Sequence, residues 1–114
     1  MTPIGRRAAL VIRDEAEADI AAAVDWYEGQ SVGLGIELVR AVEVCVQSIR
    51  RWPEARRIVF GDLEPPVRRA LVRRFPYSIY YVAVPGAVHV LGCLHQHRDP
   101  AATRKQIEGR VRDV

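Results

Sequence analysis

Arg73-Arg74-Phe75-Pro76-Tyr77-Ser78-Ile79-Tyr80-Tyr81, followed by Val88 to Leu94 and then His95-Gln96-His97-Arg98-Asp99-Pro100, is the stretch whose reading decides the fold. Tyr77 to Val84 is rich in Tyr, Ile and Val, the side chains that fill a pleated surface, and reads as a strand. Pro85-Gly86 marks a tight turn, and Ala87 to Leu94 is the hairpin partner. Pro76 has no N–H to give and bends or breaks the ladder before Tyr77. Upstream of it, Val67 to Phe75 is expected to be a strand bearing Arg68, Arg69, Arg73 and Arg74. Beyond the hairpin, Asp99-Pro100 reads as the N-cap and first residue of a short terminal helix carrying Arg104, Lys105, Arg110 and Arg112.

Working back toward the start, Glu64-Pro65-Pro66 is a loop, and Ile58-Val59-Phe60 is a short strand candidate bounded by Gly61-Asp62. Leu34, Leu38, Ala41, Val42, Cys45, Ile49 and Trp52 recur at helical spacing and predict a long helix that stops before Pro53. Gln30-Ser31-Val32-Gly33 separates it from an earlier helix. That helix opens at Asp14, with Glu17 completing a capping-box-like start, and repeats apolar residues at Ala16, Ile20, Ala23, Val24 and Tyr27. Acids at Asp14, Glu15, Glu17 and Asp19 suit the positive end of its dipole. Ala8 to Arg13 reads as a first strand. Trp26, Trp52 and Phe60 are expected in the core. Two helices joined by so short a break pack antiparallel. The order is β-α-α-β-β-β with a basic C-terminal tail or helix. That order predicts an α+β fold, in which a helical hairpin covers one face of a mainly antiparallel sheet within a single domain over residues 1–114.

Charge is unevenly placed. Residues 1–49 hold four basic and eight acidic side chains, residues 50–74 eight arginines and three acids, and residues 75–114 five basic and three acidic side chains. A basic middle on a chain of net charge +3 points to one face made for an anionic partner, either nucleic acid or an acidic protein segment. The two cysteines, Cys45 and Cys93, lie in apolar runs and read as small buried hydrophobes, which fits a reducing cytoplasm. Met1 to Arg7 shows no apolar run of the kind a signal peptide needs, and no stretch approaches a membrane span.

The ordered series resembles one family. Glu15-Ala16-Glu17-Ala18-Asp19-Ile20, Asp25-Trp26-Tyr27-Glu28, Gly33-Leu34-Gly35, Trp52-Pro53-Glu54-Ala55, Val67-Arg68-Arg69, Arg74 to Tyr81 and His95 to Pro100 together look like the RelE/ParE toxins, in the branch often described as plasmid stabilisation proteins. The resemblance implies the toxin half of a two-gene toxin–antitoxin system, bound by a cognate antitoxin as a hetero-oligomer in the cytoplasm. RelE-like members cut mRNA in the ribosome; ParE-like members poison DNA gyrase.

RNA cleavage by the 2′-hydroxyl needs an orienting base, cations on the phosphate and an acid for the leaving oxygen. The resemblance places Arg98 on the family's late arginine and Arg69 on one lysine position. It also places Leu71, Ser78 and Arg104 where another lysine, an arginine and a tyrosine are expected. Three of these five roles lack the RelE chemistry, so the gyrase-directed branch is favoured. Were the chain RelE-like, Arg69, Arg73, His95, His97 and Arg98 would be its catalytic set, with a histidine moving protons. Target contact is expected from Arg68, Arg69, Arg73, Arg74, Arg98 and Arg104, with Arg68 the best candidate for a structural role. His95 and Arg98 are expected to form a local hydrogen-bonded cluster at the helix start. Ile36, Val39 and Val46 form a second apolar strip on the long helix, expected to be partly exposed and to receive the antitoxin. No cofactor is called for. His95, His97 and Asp99 lack a further ligand at metal spacing.

Overall fold

The chain changes period halfway, and its elements follow. The computed structural model describes residues 8–114, so the reading of Met1–Arg7 lies outside the described residues. In it the order is β1 (Ala9–Ile12), α1 (Asp14–Gln30), α2 (Leu34–Arg51), β2 (Ile58–Phe60), β3 (Val67–Leu71), β4 (Tyr77–Val84), β5 (Ala87–His95) and α3 (Pro100–Val111). The strands form one sheet in the order β1-β5-β4-β3-β2, with β1 parallel to β5 and the other pairs antiparallel. The fold is thus the expected α+β arrangement. The edge strand Ile58–Phe60 makes the strands five, one more than the β-α-α-β-β-β order holds.

The hairpin covers one face of the sheet. Leu38, Val42, Cys45, Val46 and Ile49 of α2 meet Ile79, Tyr81, Val88, Val90 and Cys93 of the central strands. On the opposite face Val67, Tyr80, Val82, Leu91 and Leu94 pack with Ile107 and Val111 of α3. α1 begins one residue earlier in its capping than the sequence suggests. The N-cap is Arg13, without a side-chain cap, and Asp14, Glu15 and Glu17 act through the dipole of the first turn. α2 has an unforeseen cap. Gly33 takes the left-handed φ of 94°, and the Glu28 carboxylate of α1 accepts from the N–H of Gly33 at 3.0 Å and of Gly35 at 2.9 Å. The two tryptophans are exposed rather than core. Trp26 lies on the outer side of α1, and Trp52 is the C-cap of α2 with Arg51 over its ring.

One ion pair ties the layers together. β1 pairs with β5 only as far as Val90, so the edge of β5 beyond it has no strand neighbour. Asp19 of α1 and Arg110 of α3 fill the gap. Asp19 Oδ2 accepts from Cys93 N at 3.1 Å and from Arg110 Nη1 at 2.7 Å, while the same Nη1 donates to Leu91 O at 3.0 Å. Gly92 makes room, since a Cβ there would stand 2.7 Å from Arg110 Nη1 and 3.1 Å from Ile107 Cδ1. Asp19→Ala strands a largely buried guanidinium and the Cys93 N–H, and it should cost roughly 2–3 kcal/mol in urea unfolding. The double variant Asp19→Ala/Arg110→Met should recover much of that loss.

Cys93 gives a second check. Burial, with Asp19 nearby, pushes its thiol from 9.0 up to about 12. A thiol whose pKa is raised in the fold contributes fully below the unfolded value and loses that contribution as pH climbs toward the folded one. Stability should therefore fall between about pH 9 and pH 12, by about 1.4 kcal/mol per unit from this group. Cys93→Ala should flatten that slope in pH-dependent denaturation, leaving the part due to Cys45, Tyr77 and Tyr81, all raised by burial.

Candidate functional site

The nine-residue run expected as a strand from Val67 to Phe75 ends early. β3 stops at Leu71, and Val72 N donates to Tyr77 O at 2.9 Å to close a tight turn over residues 73–76. Within it Tyr77 N donates to Phe75 O at 2.8 Å, and Arg74 takes a φ of 73°, uncommon for a residue with a Cβ. Arg73 and Arg74 therefore sit on an exposed turn tip and not on a strand face shared with Arg69. The tip is held firmly. Phe75 packs edge-on against Tyr27 at 5.1 Å, and Gln96 N donates to Pro76 O at 2.8 Å, which joins this turn to the β5–α3 connection.

The six arginines expected at a target divide in two. Arg68 donates to Glu54 O at 3.0 Å and Arg56 O at 2.6 Å, so it straps the loop between α2 and β2 onto the sheet. Arg104 makes a two-pronged pair with Asp62 at 2.9 and 2.6 Å, reaches Glu108 at 3.6 Å and lies over the Phe60 ring. The pair holds the Asp62 carboxyl below the usual carboxylate range. Both guanidinium groups are engaged inside the molecule, which fits the structural role expected of Arg68. Among the described residues, the guanidinium groups of Arg69, Arg73, Arg74 and Arg98 make no hydrogen bond or ion pair.

The free arginines fall into two concavities on either side of β3. On the α3 face, Arg69 and Arg98 line a small pocket of about 130 Å³ with Phe60, Tyr80 and Thr103; the end of β5 at His95 borders it, but the His95 ring packs edge-on against Tyr77 at 5.2 Å on the hairpin face. His95 is held by its neighbours: His97 N donates to its Nδ1 at 3.1 Å, and Arg98 N donates to its backbone oxygen at 3.2 Å. This is the local cluster expected at the helix start, with Asp99 capping α3 through Ala101 N at 3.3 Å. His97 is exposed and stacks edge-on with His95, outside the pocket lining. Ser78 is buried without a partner on the same strand as Tyr80, so it brings no charge to the pocket. Among the described residues no three His, Cys, Asp or Glu side chains converge on a point that would hold a metal.

On the hairpin face, α2 overhangs the edge of the sheet and leaves a groove of about 610 Å³. Ala41, Val44 and Cys45 give it an apolar floor, the backbone of Leu71 borders it, and Arg40, Arg56, Arg73 and Arg74 stand around it with Glu37 the single acid. The apolar strip expected on α2 is displaced accordingly. Val46 is 4% exposed and packs against the sheet, and Val39 is half-buried. Ile36 is exposed as expected, but Val44, at 66%, is the exposed apolar residue of α2 that opens onto the groove. Val44 lies two positions before Val46, and the 100° turn per residue puts it on another side of the helix.

No protein-family model and no curated protein matches this chain. Among solved structures, a chain of the chromosomal ParDE TA system from P. aeruginosa superposes with a TM-score of 0.65 and 18% sequence identity, covering 77% of this chain and 95% of that one. At that identity the likeness is one of fold. The helical hairpin and the mixed five-stranded sheet with a C-terminal helix form an architecture that a ParDE chain also has.

Proposed function

We propose that this chain is the toxin of a two-gene toxin–antitoxin system, neutralised by an antitoxin encoded beside it, and that it stops growth by acting on DNA gyrase. The observation that carries the reading is the fold likeness over nearly the whole of a ParDE chain. The RelE/ParE-like order of residues along this sequence supports it independently. So does the basic end of the sheet, where Arg69, Arg73, Arg74 and Arg98 are held by neighbouring structure yet leave their guanidinium groups free. Unpaired guanidinium groups on a rigid frame suit binding to phosphate or carboxylate. No helix among the described residues is long and apolar enough to cross a membrane.

A gyrase-directed toxin needs a binding surface and no catalytic residue. Cleavage of RNA asks for more. The pocket lined by Arg69 and Arg98 is the one observation that favours a second reading, a RelE-like endoribonuclease with the arginines on phosphate. Against it, the positions expected to supply further cations or a tyrosine hold Leu71, Ser78 and Arg104, and Arg104 is engaged by Asp62.

Pulse labelling after induction in a bacterium, with thymidine and leucine followed separately, decides between the two. Early loss of thymidine incorporation, rescued by the neighbouring gene, is the expected result. Early loss of leucine incorporation would assign the pocket as an active site, and loss of neither would refute both readings. Replacing Arg73 and Arg74 by Ala should reduce growth arrest while changing stability by no more than about 0.5 kcal/mol. Arg68→Ala, by contrast, should lose about 1–2 kcal/mol of stability through its two carbonyl bonds, read by thermal unfolding.

A further inference from the structure

β1 lies at the edge of the sheet farthest from the groove. Ala9 N donates to Gly86 O at 2.9 Å and Arg13 N to Val90 O at 3.0 Å, so residues 9, 11 and 13 turn their main-chain groups toward β5. Alternation along the strand sends the N–H and C=O of Leu10 and Ile12 the other way, and among the described residues no strand or hydrogen bond meets them. The side chains of Leu10 and Ile12 pack into the hairpin-face core, which leaves Val11 on the opposite face at 39% exposure. Edge strands are ordinarily protected by a charge, a proline or a bulge. The other edge strand, β2, has a register break and is flanked by Arg57 and Asp62. β1, Ala-Leu-Val-Ile, carries none of these devices.

We propose that this edge pairs with the same edge of a second copy of the chain, antiparallel about a two-fold axis at Val11, so that two sheets join into one. Two features select a second copy as the occupant. The edge is complementary to itself: with the axis at Val11, Leu10 and Ile12 exchange main-chain hydrogen bonds with Ile12 and Leu10 of the second copy, and the two Val11 side chains meet. The charges are complementary too. The register that sets Leu10 against Ile12 sets Ala8 against Asp14. At Asp14, α1 opens with Asp14, Glu15 and Glu17, and the helix holds no basic residue. At Ala8, α2 closes with Arg50 and Arg51: Ala8 N donates to Arg50 O at 3.4 Å, and Arg50 Nε donates to Ala8 O at 3.1 Å. The acidic end of β1 in one copy thus meets the basic end in the other, and symmetry repeats the contact. Asp14 and Arg51 are both exposed, and within one chain they stand at opposite ends of β1, roughly 20 Å apart. Pairing here leaves the groove and the Arg73–Arg74 tip of each copy free at the far ends of the joined sheet, and it depends on neither the antitoxin nor the target.

So short a strand buries little area, and the pairing belongs to the weak, concentration-dependent class. Sedimentation of the full chain from about 1 μM to about 200 μM should show a rising dimer fraction, with the Leu10 and Ile12 amides exchanging at least tenfold more slowly at the top of the range. Val11→Lys sets like charges across the axis and should weaken association at least tenfold with an unchanged circular dichroism spectrum. Arg51→Glu should weaken it as well, and Asp14→Arg added to that variant should restore it, which separate structural roles for the two residues would not produce. A chain that stays monomeric throughout the range overturns the proposal. So does a dimer that Val11→Lys leaves intact while the Leu10 and Ile12 amides exchange freely, since it would use another surface. Protection of those amides only after the product of the adjacent gene is added would assign the edge to that partner and also overturn it.

Discussion

The structure depends on what happens where β1 runs out. A parallel strand four residues long covers only the first part of β5, and the bare edge beyond Val90 would leave a donor and an acceptor unsatisfied at the junction of three elements. Asp19 and Arg110 resolve this with one pair of side chains 91 residues apart in sequence. Each satisfies a backbone group of β5 and the other's charge. The pair is worth more as a joint than as a Coulombic contact, because the cost of desolvating both ions offsets much of their attraction. It sets the position of α3 against α1 around the edge of the sheet, and hence the position of the helix start that presents Arg98.

The arginines show the same logic of satisfaction. Those whose head groups meet carbonyls or carboxylates shape the frame: Arg110 at the β5 edge, Arg68 on the 54–56 loop, Arg50 on Ala8 O at 3.1 Å and Arg104 on Asp62. Arg69, Arg73, Arg74 and Arg98, whose head groups are left over, lie on either side of β3. A sequence shows only that the middle of the chain is basic; the separation into framing and free cations needs the carbonyls that a fold brings close. Arg68 and Arg69 are adjacent, yet strand alternation sends one to the hairpin face and the other to the α3 face.

That limit explains which parts of this molecule were legible. Period, proline and turn residues placed every element, including α3 with its Asp99 cap, because those signals are local. Long-range assignments fared differently. Trp26 and Trp52 are large and apolar, and composition puts them inside, but each lies on the side of its helix that turns from the sheet. Val46 is buried and Val44 exposed because the sheet fixes which arc of α2 faces inward, and the apolar stripe is broad enough to allow either. Arg73 and Arg74 were read as strand because Pro76 marks a break without saying how far before it the ladder closes. The Val72–Tyr77 bond settles that point two residues earlier than Arg74. Arg69 and Arg98 line one pocket, but the His95 ring packs on Tyr77 across the sheet from them. His97 faces solvent, and Arg73 belongs to the other concavity.

The groove exists because the 53–56 loop is held off the edge it would otherwise cover. An antiparallel neighbour of β3 would have to continue from Arg57 back through Ala55 to pair with Leu71. Instead Ala55 N turns onto Trp52 O at 3.1 Å, Tyr81 donates its hydroxyl to Pro53 O at 2.7 Å, and Arg68 grips Glu54 O and Arg56 O. Each anchor rises from the hairpin face of the sheet and draws the loop over that face, away from the strand edge. Arg56, so placed, reaches Ser48 at 2.9 Å and forms one end of the groove. The bonds that occupy the Arg68 guanidinium are thus among those that keep Leu71 without a strand neighbour. An open strand edge normally invites aggregation. Here α2 and the arginines around the groove stand beside the edge and disfavour such pairing between copies.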